Sequence, residues 1–171
     1  MIRHIVFDIG HVLIQWDPEI PYRRLIPDAV ERRWFLETVC TPAWNREQDR
    51  GRSWAEAESL LIRDYPDKAD LIRAYRAHWS EMVPGEVPGT FAILRALLDA
   101  GHDVTMLTNF HQDTFREAQA MYPALTETRG VTVSGEVRML KPDRDIYDRH
   151  VETFGLDPAA CLFFDDTVAN V

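Results

Sequence analysis

Four short apolar runs punctuate this chain: Ile5-Val6-Phe7, Val104 to Leu107, Val131-Thr132-Val133 and Cys161 to Phe164, the last three separated by helix-period segments. Runs this brief, rich in β-branched and aromatic residues and bounded by turn formers, read as buried strands. Strands that alternate with helices imply an α/β fold: a parallel, Rossmann-like sheet with helices on both faces and right-handed crossovers. Parallel strands place all their carboxyl ends on one rim, where ligands of open α/β sheets bind. The first run delivers Asp8 to that rim, followed by Ile9-Gly10. A strand-end carboxylate also serves as a simple cap, so Asp8 alone does not decide its role.

The segment from Gln15-Trp16-Asp17-Pro18 to about Pro88 lacks strand-like alternation and reads as helical throughout. Val30, Trp34, Phe35 and Val39 lie at helical spacing and predict a helix over 28–39. Ser53 and Glu56 form a capping box ahead of Leu60-Leu61-Ile62, and a third helix is expected over 67–82. Trp16, Trp34, Trp44, Trp54 and Trp79 all fall here, as a small lobe needs large side chains to bury enough area. Val83 to Gly89 is dense in breakers and closes the segment. The expected organisation is therefore a core of residues 1–15 and 88–171 with an inserted helical cap, 16–87. Further helices are expected over 91–100, 112–121 and 143–154, the first closed by Gly101 and the last by Gly155.

Composition excludes several classes. A chain of 171 residues that is 46% hydrophobic buries one substantial core. A formal charge of -9 argues against nucleic acid as partner, since phosphate-backbone binders cluster Lys and Arg. Two distant cysteines, Cys40 and Cys161, and no basic, apolar leader point to a reducing cytoplasm. No apolar stretch approaches the roughly 20 residues that span a bilayer, so no membrane association is expected. A complete domain of this design ordinarily continues past Val171 into a covering helix and an edge strand, which leaves either a truncated chain or a naturally short one. There is no internal repeat, and the oligomeric state stays open.

Asp8, Thr108, Lys141 and the pair Asp165-Asp166 each follow a strand or lie in the next loop, so the sheet rim can bring them together. Two adjacent carboxylates beside a third repel one another and raise each other's pKa unless a cation is present. Mg²⁺ answers that need, because it takes oxygen ligands and binds through one or two carboxylates plus substrate phosphate.

Taken in order, Phe7-Asp8-Ile9-Gly10-His11-Val12-Leu13, Leu107-Thr108-Asn109, Leu140-Lys141-Pro142-Asp143 and Phe163 to Asn170 resemble the four motifs of the haloacid dehalogenase superfamily, in its subgroup with a helical cap after the first motif. The resemblance covers essentially the whole chain. It implies a Mg²⁺-dependent hydrolase of a small phosphorylated metabolite, with Asp8 as the nucleophile that forms an aspartyl-phosphate. Asp8, the Gly10 carbonyl and Asp166 would hold the metal, with Asp165 acting through water or behind them. Thr108 and the Asn109 amide would hold phosphate oxygens, and Lys141 would offset their charge. Asn170 would bind the loop or assist the metal ligands.

Gly10 departs from the pattern. Most phosphatases of the superfamily carry there a second aspartate, which protonates the leaving group and then activates water. Some sugar-phosphate phosphatases of the superfamily also have glycine. The 2-haloacid dehalogenases lack the carboxylate as well, since halide leaves without a proton, and they are the enzymatic rival reading. A catalytically silent binding or regulatory protein is the rival from another class. Asp165-Asp166 favours phosphate chemistry, because the dehalogenases tend to carry Ser and Asn in that segment. His11 is an alternative proton donor. His111 either touches substrate or sits solvated at a helix start, while His4, His78, His102 and His150 read as structural or surface residues. Trp44 and Arg46 are expected in an interhelical loop that faces the site and selects substrate; the same charged stretch also reads as a solvated turn.

Overall fold

In the computed structural model, which describes residues 1–171, β1 (His4–Phe7), β2 (Asp103–Thr108), β3 (Val131–Val133) and β4 (Cys161–Phe164) form one parallel sheet in the order β3-β2-β1-β4. Phe7 lies opposite Met106 on one side and Phe164 on the other, so Asp8 and Asp165 leave the sheet at the same level. Alternate residues of β1 enter different layers. Ile5 and Phe7 pack with Leu94 of α6 (Thr90–Asp99) and Phe115 of α7 (Gln112–Met121), whereas Val6 packs with Ile146 of α9 (Arg144–Phe154). This period-two division is what buries a central strand on both faces. Strand β4 forms an edge and leaves Leu162 and Phe164 about two-fifths exposed.

Residues 19–82 are helical: α1 (Glu19–Leu25), α2 (Ala29–Trp34), α3 (Pro42–Asp49), α4 (Trp54–Asp64) and α5 (Ala69–Ala77). Ser53 Oγ accepts the Glu56 N–H at the start of α4, as its sequence pattern predicts. The helix expected over 28–39 begins on the Asp28 cap but loosens at Phe35 into a π turn, Phe35–Val39. A π turn changes the helical phase, and the predicted stripe divides: Phe35 and Val39 are buried while Val30 and Trp34 are exposed. The helix expected over 67–82 is shorter, because the chain turns at His78 and continues as a 3₁₀ turn, Trp79–Met82. The passages into and out of this segment run side by side, with Gln15 N donating to Gly85 O and Val87 N to Leu13 O, both at 2.8 Å. Buried Ile9, Leu13, Tyr22, Trp54 and Trp79 extend the sheet's core into the helices. No helix is long and apolar enough to cross a membrane.

Under the sheet, His150 of α9 joins two strands. Its Nε2 lies 3.0 Å from Thr105 Oγ1 and its Nδ1 2.8 Å from Thr132 Oγ1. Neutral imidazole satisfies both hydroxyls, one nitrogen donating and the other accepting. Burial pushes the pKa down to about 4. A folded pKa below the unfolded value means the unfolded chain binds the extra proton, so this stability is present above about pH 6.5 and is lost as pH falls toward 4. Urea unfolding should therefore lose roughly 3 kcal/mol across that window, and His150→Gln should flatten this part of the pH dependence.

Candidate active site

Lys141 organises the rim. Its side chain is 1% exposed, and its ammonium lies 2.9 Å from Asp8 Oδ1 and 2.5 Å from Asp165 Oδ2 while donating to Leu107 O at 3.1 Å. One cation thus joins the ends of β1, β2 and β4. Asp165 is held on its other oxygen by the Thr167 N–H at 2.9 Å and by Asn170 Nδ2 at 2.8 Å. Its side chain is fully buried behind Lys141. Asp166, the next residue, is exposed and lines the cavity in front. Adjacent residues at a strand end point opposite ways, which turns one carboxylate inward as an anchor and leaves the other free.

Carboxylate oxygens of Asp8, Asp165 and Asp166 all lie within 4.8 Å of one another. With Lys141 as their close cation, two negative charges are left uncompensated. Burial pushes the Asp8 carboxyl up from its ordinary pKa, Lys141 draws it back, and the Asp165 charge adds to the rise. A dication among these oxygens would remove the repulsion and keep Asp8 ionised, and an all-oxygen donor set matches Mg²⁺. Thr108 Oγ1 is buried at the end of β2 with no hydrogen-bond partner, and Thr108 is not among the residues that line the cavity above the rim. The Asn109 carboxamide is committed at both ends to the Lys141 backbone: its oxygen accepts the Lys141 N–H at 2.8 Å and its nitrogen donates to the Lys141 carbonyl at 3.1 Å.

Above the rim is a cavity of about 210 Å³. Asp8, Gly10, Asn109, Lys141 and Asp166 line it from the sheet side, and Trp16, Asn45, Asp49, Trp54 and Trp79 from the helical side. The segment expected to be an interhelical loop at Trp44 and Arg46 is helix α3, started by the Thr41 cap and Pro42. Neither residue lines the cavity. The Trp44 ring packs on Trp54 and Tyr75, and Arg46 Nη2 donates to the Lys141 carbonyl at 3.2 Å. Asn45 and Asp49 reach the cavity instead, one turn apart on the same helix face, with Asn45 Nδ2 3.4 Å from Asp49 Oδ2. Thr41-Pro42 marks the start of this helix in the sequence, but nothing local marks which of its faces meets the cavity.

His11 lines the cavity with a left-handed backbone, φ 56°. His111 is buried, not solvated. It caps α7, and its Nδ1 accepts the Asp113 N–H at 3.1 Å and the Trp54 Nε1–H at 3.2 Å, so the ring proton sits on Nε2.

A sequence model of haloacid dehalogenase-like hydrolases matches residues 2–171. The chain belongs to that family. Its fold is shared by a predicted HAD-like family hydrolase of Porphyromonas gingivalis, 23% identical with a TM-score of 0.76 over 99% of this chain and 84% of that one. A HAD family enzyme of Bacteroides thetaiotaomicron, solved in complex with magnesium and inorganic phosphate, is 20% identical with a TM-score of 0.72 over 99% and 87%. The L-2-haloacid dehalogenase of Xanthobacter autotrophicus with chloropropionic acid covalently bound is 19% identical with a TM-score of 0.66 over 95% and 69%. The chain is thus a HAD-like hydrolase.

The Lys141 arrangement in this HAD-like hydrolase predicts strong coupling. Without divalent cation, Lys141→Met should destabilise by roughly 3–5 kcal/mol in urea unfolding, as two buried carboxylates lose their partner. Lys141→Met combined with Asp165→Asn should cost less than the sum of the two single changes.

Proposed function

We propose that this hydrolase cleaves small phosphate monoesters, with Asp8 as the nucleophile and Mg²⁺ as its cofactor. The observation that carries this reading is the excess of negative charge: three carboxylates within 4.8 Å, with Lys141 the one cation paired to two of them. Such a cluster suits a reaction that brings a metal and a phosphate together, whereas halide displacement has no use for the second and third carboxylates. Asp8, the Gly10 carbonyl and Asp166 are the ligands we assign, with Asp165 fixing Lys141 behind them. When bound, the ion neutralises charge on Asp8 and on the phosphoryl oxygens.

This chain's own groups do the rest. Lys141 holds the Asp8 carboxylate in place and offsets negative charge as the phosphoryl group moves. Thr108 Oγ1 donates its unused proton to a phosphoryl oxygen. With the Asn109 carboxamide occupied, its backbone N–H is the group left for that anion. Arg46 and Asn109 both bind the Lys141 backbone, which keeps the ammonium aimed at Asp8. Attack by Asp8 on phosphorus gives an aspartyl-phosphate that water hydrolyses. A cavity of about 210 Å³ suits a small phosphorylated metabolite.

Phosphate release from a panel of monoesters should require Mg²⁺, stop with EDTA and fall by roughly 10³-fold or more in Asp8→Asn. Chloride release from 2-chloropropionate that is indifferent to EDTA would assign dehalogenation instead, and absence of both products would mean a fold without turnover.

A further inference from the structure

Cleavage of a phosphate monoester leaves an alkoxide that needs a proton. Gly10 supplies none, although its position has room: a side chain built there meets nothing within 4 Å. The carboxylates lining the cavity are Asp8 and Asp166 on the sheet side and Asp49 on the helical side. Asp8 and Asp166 are committed to phosphorus and metal in the proposed reaction, which leaves Asp49 as the cavity carboxylate not otherwise engaged.

Asp49 is also fixed in place. It ends α3, and its backbone carbonyl accepts the Ser134 hydroxyl at 2.6 Å, tying the helix to the start of α8 (Ser134–Val137), directly after β3. Two residues on, Gly51 has φ +97°, and a Cβ there would stand 2.8 Å from the Gly135 carbonyl. Only glycine allows both that backbone and that approach. The cap and the core are therefore locked together at Asp49.

Resting on the phosphate-monoester reading above, we propose that Asp49 is the general acid that protonates the departing oxygen, acting from the helical cap in place of a carboxylate at position 10. As the Asp8 oxygen bonds to phosphorus, the ester P–O bond breaks and its electron pair stays on the leaving oxygen. That oxygen takes the Asp49 proton. The Asp49 carboxylate then receives a proton from the water that attacks the phosphoryl group on Asp8, which returns the site to its starting state.

The electrostatics agree with a group that holds its proton near neutrality. Burial pushes the Asp49 carboxyl up to about 7, against the opposing pull of the His111 backbone N–H and the Arg46 guanidinium. Across the cavity it faces the charges of Asp8, Asp166 and Lys141, with His11 at the same wall.

The test compares kcat/KM, which covers the first chemical step, for an alkyl phosphate and for p-nitrophenyl phosphate, whose nitrophenolate leaves unprotonated. Asp49→Asn should lower the alkyl phosphate value by roughly 10²- to 10⁴-fold and the nitrophenyl value by less than about fivefold. Adding Gly10→Asp should restore alkyl phosphate cleavage. The unmodified enzyme should show an alkyl phosphate profile that declines above about pH 7, with no such limb for p-nitrophenyl phosphate; this readout does not depend on a variant folding. Equal losses on both substrates, or identical pH profiles, would overturn the proposal while leaving the phosphatase reading intact. No Mg²⁺-dependent phosphate release from the unmodified protein would overturn both.

Discussion

The ammonium of Lys141 is the contact on which this site depends. It is buried within reach of carboxylates from two strand ends and a backbone carbonyl from a third. Burying three charges is costly, and ion pairs of this kind seldom repay their desolvation. Their value is geometric: the cation sets where Asp8 points and prevents Asp165 from competing for the same space. The in-register ending of β1 and β4 beside β2 makes the arrangement possible, since a one-residue slip would turn Asp8 to the opposite face.

Around this centre, two side chains hold the lysine's backbone and a third holds its partner Asp165. Asn109 clasps its backbone from β2, Arg46 reaches the same carbonyl from the cap, and Asn170 steadies Asp165. Helix α3 is therefore joined to the strand-end cluster through the Lys141 backbone. The Ser134 contact to Asp49 is a second tie, and between them α3 is held where Asn45 and Asp49 line the cavity. What remains unsatisfied is on the inside: a Thr108 hydroxyl without a partner and a carboxylate cluster short of positive charge. In the proposed reaction a phosphate oxygen and a divalent cation would meet both.

Much of this was legible in the sequence because it is local. Apolar runs of three or four residues marked the strands, Gly101 and Gly155 closed α6 and α9, and reactive residues followed each strand directly. The exceptions have a physical cause. The π turn at Phe35 arises from packing, so Val30 and Trp34 carried a helical signal that the fold does not use. Trp44 was expected in an interhelical loop facing the site, yet it lies in α3 with its ring packed against Trp54 and Tyr75. Which face of α3 meets the cavity depends on how that helix rests on Ser134 and Lys141, contacts 85 and 95 residues away in the chain. No local pattern encodes such contacts, and Asn45 and Asp49 became visible only in three dimensions.

In the proposed reaction Asp8 carries the phosphoryl group during turnover. Acid quenching of the protein during Mg²⁺-dependent turnover of a phosphate monoester, followed by mass spectrometry of the peptide containing Asp8, addresses it directly. The expected peptide is heavier by one phosphoryl group, a label removed by hydroxylamine and absent from Asp8→Asn. A peptide that stays unmodified while phosphate is released, or a phosphoryl group found on another residue, would contradict it.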